Sequence, residues 1–312
     1  MLRSLFAAAS SLRNHQTALD VIGNNLANVN TTGFKQGRAN FQDLLYQTLV
    51  GPQAPVGTAA QPDIGLGGIN TSQVGLGMRV AGIDTIQTQG SFQYTGRTTD
   101  LAIQGNGFFI LSDQTAAGGG AGGAASARFV YTRDGAFDLD ALGLLVNPAN
   151  GLVVQGYAIP AGQQTAPPGA PLGPIVIPPD TYISFAISPA GVVTGFTANG
   201  TAVPLAQIAI ANFPNPSGLL RVGSNLLQWT PAAGGVPAGV ANPTAAQVAA
   251  AVGGLATTGG RGEVVSGSLE MSNVDIAGQM SALIVTQRGF QANSRVVTTS
   301  DEMLQELINL KR

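Results

Sequence analysis

Few residues in this chain could carry out acid–base or nucleophilic chemistry. Its 312 residues include one histidine, His15, and no cysteine. A Ser/His/Asp or Cys/His site would have to be built around His15, whose sequence neighbours are Asn14 and Gln16. Disulfides and thiolate metal sites are excluded by the lack of cysteine. We therefore predict a surface or interface role for His15 and no catalytic one.

Other motifs that could bind a cofactor are incomplete. Gly105-Asn106-Gly107 matches half of a dinucleotide fingerprint, and it stands between two strand-like runs. The fingerprint needs a strand-to-helix turn, so a tight β-turn is the better interpretation. The acidic pairs Asp138/Asp140 and Asp301/Glu302 are typical of solvated faces. The sequence predicts no enzyme, no cofactor and no metal site.

The charge content also limits the partners. Charged residues make up 10% of the chain and the net charge is −2, against roughly 25% charged residues in typical soluble proteins. Neither nucleic-acid binding nor attraction to an anionic membrane is indicated, and no apolar run is long enough to span a bilayer. The low charge indicates either a surface that faces protein partners or an amino-acid composition biased by a GC-rich genome.

Both chain ends carry a seven-residue apolar repeat, which is the mark of a helix that packs on another helix. At the N-terminus the repeat consists of Leu5, Leu12, Leu19 and Leu26. At the C-terminus it consists of Ile276, Leu283, Phe290, Val297 and Leu304. We predict that the two helices pack together as a coiled coil. The alternative is two unrelated helices, each packed on its own core.

The region between the ends is rich in β-branched and aromatic residues punctuated by glycine, which is typical of strands. Strands are predicted within residues 80–96, 101–111, 127–146, 151–159, 174–178, 182–188, 191–197 and 206–213. Arg133-Asp134-Gly135 is predicted to form a turn. Residues 113–127 are Gly-rich and predict a flexible connection, and residues 231–262 are low-complexity, with a candidate short helix at 245–252.

The predicted fold class is mainly β, with paired N- and C-terminal α-helices that form a coiled-coil-like inner domain. An extended linker and β-rich outer domains complete it. The expected parts are a helical domain of residues 1–32 and 273–312, a linker of residues 33–76, a β-rich domain of residues 77–146 and 205–272, and a β-rich continuation or small outer subdomain of residues 147–204.

The N-terminal helix is followed by a polar stretch, VIGNNLANVNTTGFKQ, at residues 21–36. Asparagine is a mediocre helix former because its side chain competes for backbone hydrogen bonds. Amides both donate and accept, so we expect these side chains to serve changing subunit contacts, and we expect glycine to end the helix. The alternative is a frayed helix end with solvated amides. The motif residues are Asn24, Asn25, Asn28, Asn30, Thr31, Gly33 and Phe34.

The stretch ALDVIGNNLANVNTTGFKQ (18–36) resembles the N-terminal motif of the bacterial flagellar rod and hook proteins. Residues 75–111 and 131–146 resemble two further blocks of this family, and residues 267–312 resemble its closing helix. The resemblance covers both ends and most of the β-region. It is poor within residues 113–127, 161–173 and 231–262.

The resemblance implies a self-assembling helical tube. The terminal helices would line an export channel, and the β-domains would lie outside. It also implies passage through the flagellar type III export apparatus without a cleaved signal peptide, and a location in the flagellar hook or basal body. The implied partners are other copies of the chain, rod proteins, hook–filament junction proteins and, during assembly, the hook cap.

Within the family, two stretches resemble hook proteins: QANSRVVTTSDEMLQELINLKR at the C-terminus and NTSQVGLGMRV at residues 70–80. The distal rod is the alternative, because 312 residues are few for a hook protein and residues 187–227 are similar to a segment shared with the distal rod. We expect a hook subunit, which would pass motor torque to the filament.

Overall fold

The computed structural model describes residues 2–54, 68–113, 128–160, 162–167, 170–235, 247 and 251–310. Within them a long helix lies near each end, α1 (Leu2–Ala27) and α2 (Ile276–Asn309). The strands between them are β1 (Gly37–Asp43), β2 (Tyr46–Val50), β3 (Ser72–Gly75), β4 (Met78–Thr85), β5 (Phe92–Tyr94), β6 (Leu101–Gln104), β7 (Phe108–Ser112), β8 (Phe129–Thr132), β9 (Asp138–Leu139), β10 (Leu145–Val146), β11 (Val153–Ala158), β12 (Leu172–Pro174), β13 (Ser184–Ile187), β14 (Val192–Phe196), β15 (Ala202–Ala211), β16 (Leu220–Gly223), β17 (Leu226–Gln228), β18 (Gly253–Leu255), β19 (Glu263–Ser266) and β20 (Ser268–Glu270). The predicted class, mainly β with terminal helices, is confirmed.

The chain forms two compact units. The first, here called the helical unit, contains Met1–Leu26, Gly37–Thr85 and Asp275–Arg312. The second, here called the β unit, contains Ala27–Gln36 and Ile86–Val274. The Asn-rich motif is therefore divided, with its first two asparagines in the helical unit and its remaining residues in the β unit.

In the helical unit, α1 packs on an antiparallel ribbon. Strand β1 pairs with β4 along its whole length, from Gly37 opposite Thr85 to Asp43 opposite Met78. The Asn14 amide of α1 donates to the Met78 carbonyl at 2.6 Å. The ring of His15 lies edge-on to Phe41, with the ring centroids 6.1 Å apart. These contacts place α1 against the ribbon.

In the β unit, the main sheet is buried on both faces. Its central path runs β13-β14-β15-β11-β7-β8-β17-β16. One face of β7 contributes Phe109 and Leu111 to a large apolar core, and its other face contributes Phe108 and Ile110 to a second. This double burial explains why residues 108–111 form a continuous apolar run instead of an alternating pattern.

Two segments that were predicted as a linker and as a β-rich continuation both contain strands. The segment 33–76, expected as a linker, contains β1, β2 and β3. The segment 147–204 contributes β11 to β14 to the main sheet. Arg133-Asp134-Gly135 connects β8 to β9, but β8 pairs with β7 and β17, so these residues do not close a hairpin. Residues 114–127 and most of the candidate helix at 245–252 lie outside the described residues.

Gly135 lies where the backbone of the β unit leaves no room for a side chain. A β-carbon built on it would lie 1.6 Å from the Leu101 carbonyl oxygen, whereas one built on Gly173 would meet nothing within 4 Å. We expect Gly135→Ala to destabilise the protein by about 3 kcal/mol, the upper range for overpacking. Gly173→Ala is the matched control and should be neutral or slightly stabilising.

Denaturant titration monitored by tryptophan fluorescence measures both variants. If both substitutions change the free energy of unfolding equally, the backbone around Gly135 can move to accept a β-carbon, and the prediction is wrong.

Candidate functional site in the terminal segments

Helix α2 begins at Ile276 because Asp275 caps it. The Asp275 carboxylate accepts hydrogen bonds from the backbone N–H groups of Ala277 and Gly278, at 3.1 and 3.2 Å. Such a cap satisfies donors that have no partner within the helix. The cap therefore fixes the residue at which α2 begins in the helical unit.

Helices α1 and α2 lie against each other in the helical unit. The Asn293 amide donates to the Ser11 hydroxyl at 2.7 Å. The Asn25 amide donates to the Gln279 side-chain oxygen at 3.0 Å. Between these, the ring of His15 lies over Gly289, where an added β-carbon would be 3.1 Å from two ring atoms. Residues further along α1 contact residues earlier in α2, so the two helices are antiparallel.

The predicted heptad residues flank these contacts. On α1, Leu5, Leu12, Leu19 and Leu26 are half-buried, while Ala8, Ala18, Ile22 and Asn25 are buried. On α2, Leu283, Val297 and Leu304 are half-buried, and Ile276 and Phe290 are 50% and 37% exposed. Coiled-coil packing of these residues stays a prediction.

Helix α2 also exposes many apolar side chains. Ser300 is its one buried residue in the described part of the chain. Large apolar patches on a surface mark sites of protein association. The exposed apolar residues of α2 are Ile276, Met280, Ile284, Val285, Phe290, Val296, Met303, Leu307, Ile308 and Leu310.

The asparagines of the motif have different environments. Asn25 is 1% exposed. Besides its bond to Gln279, it donates to the Gly37 carbonyl at 2.8 Å and accepts from the Gly37 N–H at 2.9 Å. Asn24 and Asn30 are exposed, and the Asn28 side-chain oxygen accepts from the Thr31 hydroxyl. Asn25 therefore joins α1, β1 and α2 within one unit.

The second half of the motif docks into the β unit. The Gly33 N–H donates to the Glu270 carbonyl at 2.8 Å, and the Thr32 hydroxyl donates to the Asp134 carboxylate at 2.8 Å. Gly33 has a φ of +67°, and a β-carbon there would lie 2.6 Å from the Asp134 nitrogen. Helix α1 ends earlier, at Ala27. Gly33 is thus required by this close approach, not as the residue that ends the helix.

The β16–β17 hairpin holds the docked segment from another direction. Its turn residues Ser224 and Asn225 both have positive φ, as a type I′ turn requires. The Asn225 amide donates to the Thr32 carbonyl at 2.8 Å. Arg221 donates to the Lys35 carbonyl, and its guanidinium lies 5.3 Å from the centre of the Phe34 ring.

A buried ion cluster anchors the end of the motif. The Glu270 side chain is fully buried, and its two oxygens contact the Lys35 ammonium at 2.5 Å and the Arg133 guanidinium at 2.9 Å. The Gly90 N–H also donates to Glu270, at 3.1 Å. Lys35 donates further to the Thr88 carbonyl at 2.8 Å, and Arg133 to the Gly105 carbonyl at 2.7 Å.

The cluster determines the charge state of Glu270. Burial alone would raise the pKa of this carboxyl, but attraction to Arg133 and then to Lys35 outweighs burial and lowers it. Glu270 is therefore ionised at neutral pH. The roles of Glu270, Arg133 and Arg221 in these contacts could not be predicted from the sequence, where Arg133 was expected only in a turn, because their partners lie far away along the chain.

Models of three protein families match the chain. Residues 5–35 match the flagella basal body rod protein model, and residues 102–195 match the D1 domain model of the flagellar hook protein FlgE/F/G. Residues 265–310 match the C-terminal model of the flagellar basal body rod FlgEFG proteins. The first match includes all the motif residues from Asn24 to Phe34, and the third includes all of α2.

Curated relatives match over whole chains. The flagellar basal-body rod protein FlgG of Bacillus subtilis is 42% identical over 314 residues, with 100% of both chains covered. The flagellar hook protein FlgE of Borreliella burgdorferi is 31% identical over 475 residues, again with 100% of both chains covered. The chain belongs to the bacterial flagellar rod and hook protein family. The expected family membership is confirmed.

This family is structural, and it places the chain in the flagellum. Among the described residues, neither helix is long and apolar enough to cross a membrane. The same residues contain no group of three His, Cys, Asp or Glu side chains that could hold a metal ion.

Removing the charge of Glu270 should leave two buried cations without a counter-ion. We expect Glu270→Gln to cost about 3–5 kcal/mol of stability, as measured for other broken buried pairs. Glu263→Gln is the matched control, because Glu263 is exposed on β19, and it should cost nothing measurable. Denaturant titration at neutral pH measures the difference. A neutral effect of Glu270→Gln would contradict the anchoring role of the cluster.

The lowered pKa of Glu270 also predicts a pH dependence. The folded protein binds fewer protons at this group than the unfolded chain, so its contribution is complete above the unfolded pKa of about 4.3. It is lost as the pH falls through that value towards the folded pKa. The gap in denaturation midpoint between wild type and Glu270→Gln should narrow over this acid range. A constant gap down to pH 2 would be inconsistent with an ionised Glu270.

Proposed function

We propose that this protein is a structural subunit of the flagellar hook, which assembles into a helical tube that transmits motor torque and encloses an export channel. The observation that carries the proposal is the number of exposed apolar side chains along α2. A free chain would leave these side chains in water, whereas neighbouring copies in a tube would bury them. Family membership supports assembly into the flagellar axis.

In this proposal the two terminal helices form a coiled-coil-like inner layer around the channel. The heptad residues on α1 and α2 meet one another and neighbouring copies as the tube forms. Their half-exposure in the single chain agrees with further burial on assembly. The chain would leave the cell through the type III export apparatus, and would contact rod proteins, junction proteins and the hook cap.

The hook is favoured by the C-terminal stretch at residues 291–312 and by residues 70–80, both of which resemble hook proteins. A distal rod is the second candidate, and the relatives supply its support. The Bacillus subtilis rod protein aligns over 314 residues, whereas the Borreliella burgdorferi hook protein needs 475 aligned positions. The hook relative thus contains a large insertion that this chain lacks.

Two experiments separate the candidates. Electron microscopy of polymer grown from purified protein should show curved tubes for a hook subunit and straight rods for a rod subunit. Expression in a strain that lacks its own hook subunit should restore a hook, whereas expression in a strain that lacks its distal rod subunit should restore nothing. The reverse pattern would establish the rod, and failure to polymerise under any condition would count against both.

The heptad residues give a quantitative test of assembly. Leu19→Ala or Phe290→Ala should remove about 2 kcal/mol of packing per subunit, the lower end of the range for core truncations, because both side chains start half-exposed. The β unit should melt as before. The concentration needed for assembly should rise at least tenfold. Leu142→Ala is the control, because Leu142 is 71% exposed in the β unit.

Calorimetry of dilute protein and a sedimentation assay of assembly measure the two effects. A lower melting temperature with unchanged assembly would show that the helices pack on their own subunit alone.

A further inference from the structure

The contacts between α1 and α2 keep one constant register. From Ser11 to His15, four residues along α1, the partner moves from Asn293 to Gly289, four residues back along α2. From His15 to Asn25, ten residues, the partner moves from Gly289 to Gln279, again ten residues. The fixed register therefore extends over about 21 Å of helix at 1.5 Å per residue.

The leucine repeat cannot fix this register by itself. Apolar residues recur every seven positions on both helices, so a slip of one heptad would again place apolar side chains opposite one another. In coiled coils, a few polar residues within an apolar seam select one register, at some cost in stability. Here polar residues and one glycine make close contacts between the two helices.

We infer that three pairs, Ser11 with Asn293, His15 with Gly289, and Asn25 with Gln279, determine the register in which the chain's own terminal helices pair. The heptad pattern alone gives these residues no part in setting the register. The three pairs would set it in a hook subunit and in a rod subunit alike. The heptad residues of α1 and α2 then contribute packing energy, both between the two helices of one chain and towards other copies.

Steric fit makes His15 and Gly289 the most selective pair. A slip of one heptad would bring Ala282 or Val296 opposite His15, and either side chain would occupy the space that Gly289 leaves open. The same slip would bring Thr286 opposite Asn25. The buried Asn25 amide would then lose its bond to Gln279, and an unmet buried hydrogen bond is costly.

Introduced cysteines can report the register, because the chain has none of its own. Ala18 lies seven residues from both Ser11 and Asn25, and Thr286 lies seven residues from both Asn293 and Gln279. The pair Ala18→Cys/Thr286→Cys is therefore the native reporter. The pair Ala8→Cys/Met303→Cys reports a slip of one heptad, because Val296 lies opposite Ala8 in the native register and Met303 lies seven residues beyond Val296. Both are made in the full chain and oxidised in dilute solution and in polymer.

The native reporter should form a disulfide within one chain, seen as faster migration on a non-reducing gel, and the slip reporter should form at least tenfold less. Adding Gly289→Leu should reduce the native disulfide at least tenfold, and adding His15→Ala to that variant should restore it. Gly23→Leu is the matched control, because a β-carbon on Gly23, also in a helix, would meet nothing within 4 Å.

The inference would be overturned by equal yields from the two reporters, by an unchanged native reporter in Gly289→Leu, or by disulfides that join different chains only. Failure of His15→Ala to restore the native disulfide would also overturn it, because a merely unfolded helix would not be rescued by removing one ring. Electron microscopy of the polymer tests the proposed function independently of the register. A protein that keeps this register but forms no tube would refute the proposed function alone.

Discussion

The buried Glu270 carboxylate holds together three separate parts of the β unit. A carboxylate removed from water is costly unless cations and hydrogen-bond donors surround it. Lys35, Arg133 and the Gly90 N–H meet that need from three separate parts of the chain. The unit is therefore complete only when the motif near the N-terminus has docked beside the strand β20 near the C-terminus.

The same constraint explains the residues around the cluster. Lys35 can reach Glu270 only if the chain before it lies close to the β8–β9 connection, and Gly33 permits that approach because it has no side chain. The β16–β17 hairpin then holds the segment through Asn225 and Arg221. Gly33, Lys35 and the hairpin turn thus serve one docking event, although Gly33 and Asn225 are 192 residues apart in the chain.

Sequence patterns predicted the elements but not their contacts. Heptads near both ends predicted α1 and α2, and apolar runs predicted most strands, because these signals are local in the chain. Glu270, Arg133 and Arg221 could not be identified in the same way, since each gains its role from a partner more than a hundred residues away. Asn24 and Asn25 are adjacent and chemically identical, yet Asn24 is exposed whereas Asn25 is buried, where its side chain bonds to β1 and α2.

The Asn-rich motif therefore combines two functions that a single sequence stretch would not reveal. Its first half ends a helix and fixes neighbouring elements of the helical unit through Asn25. Its second half supplies Gly33 and Lys35 to the β unit. Because both units depend on residues 25–35, substitutions there act on the fold of each unit before they act on any contact between copies. The helical unit needs the hydrogen bonds of Asn25, and the β unit needs the hydroxyl of Thr32 and the missing side chain of Gly33. An apolar residue at any of these positions could not replace them.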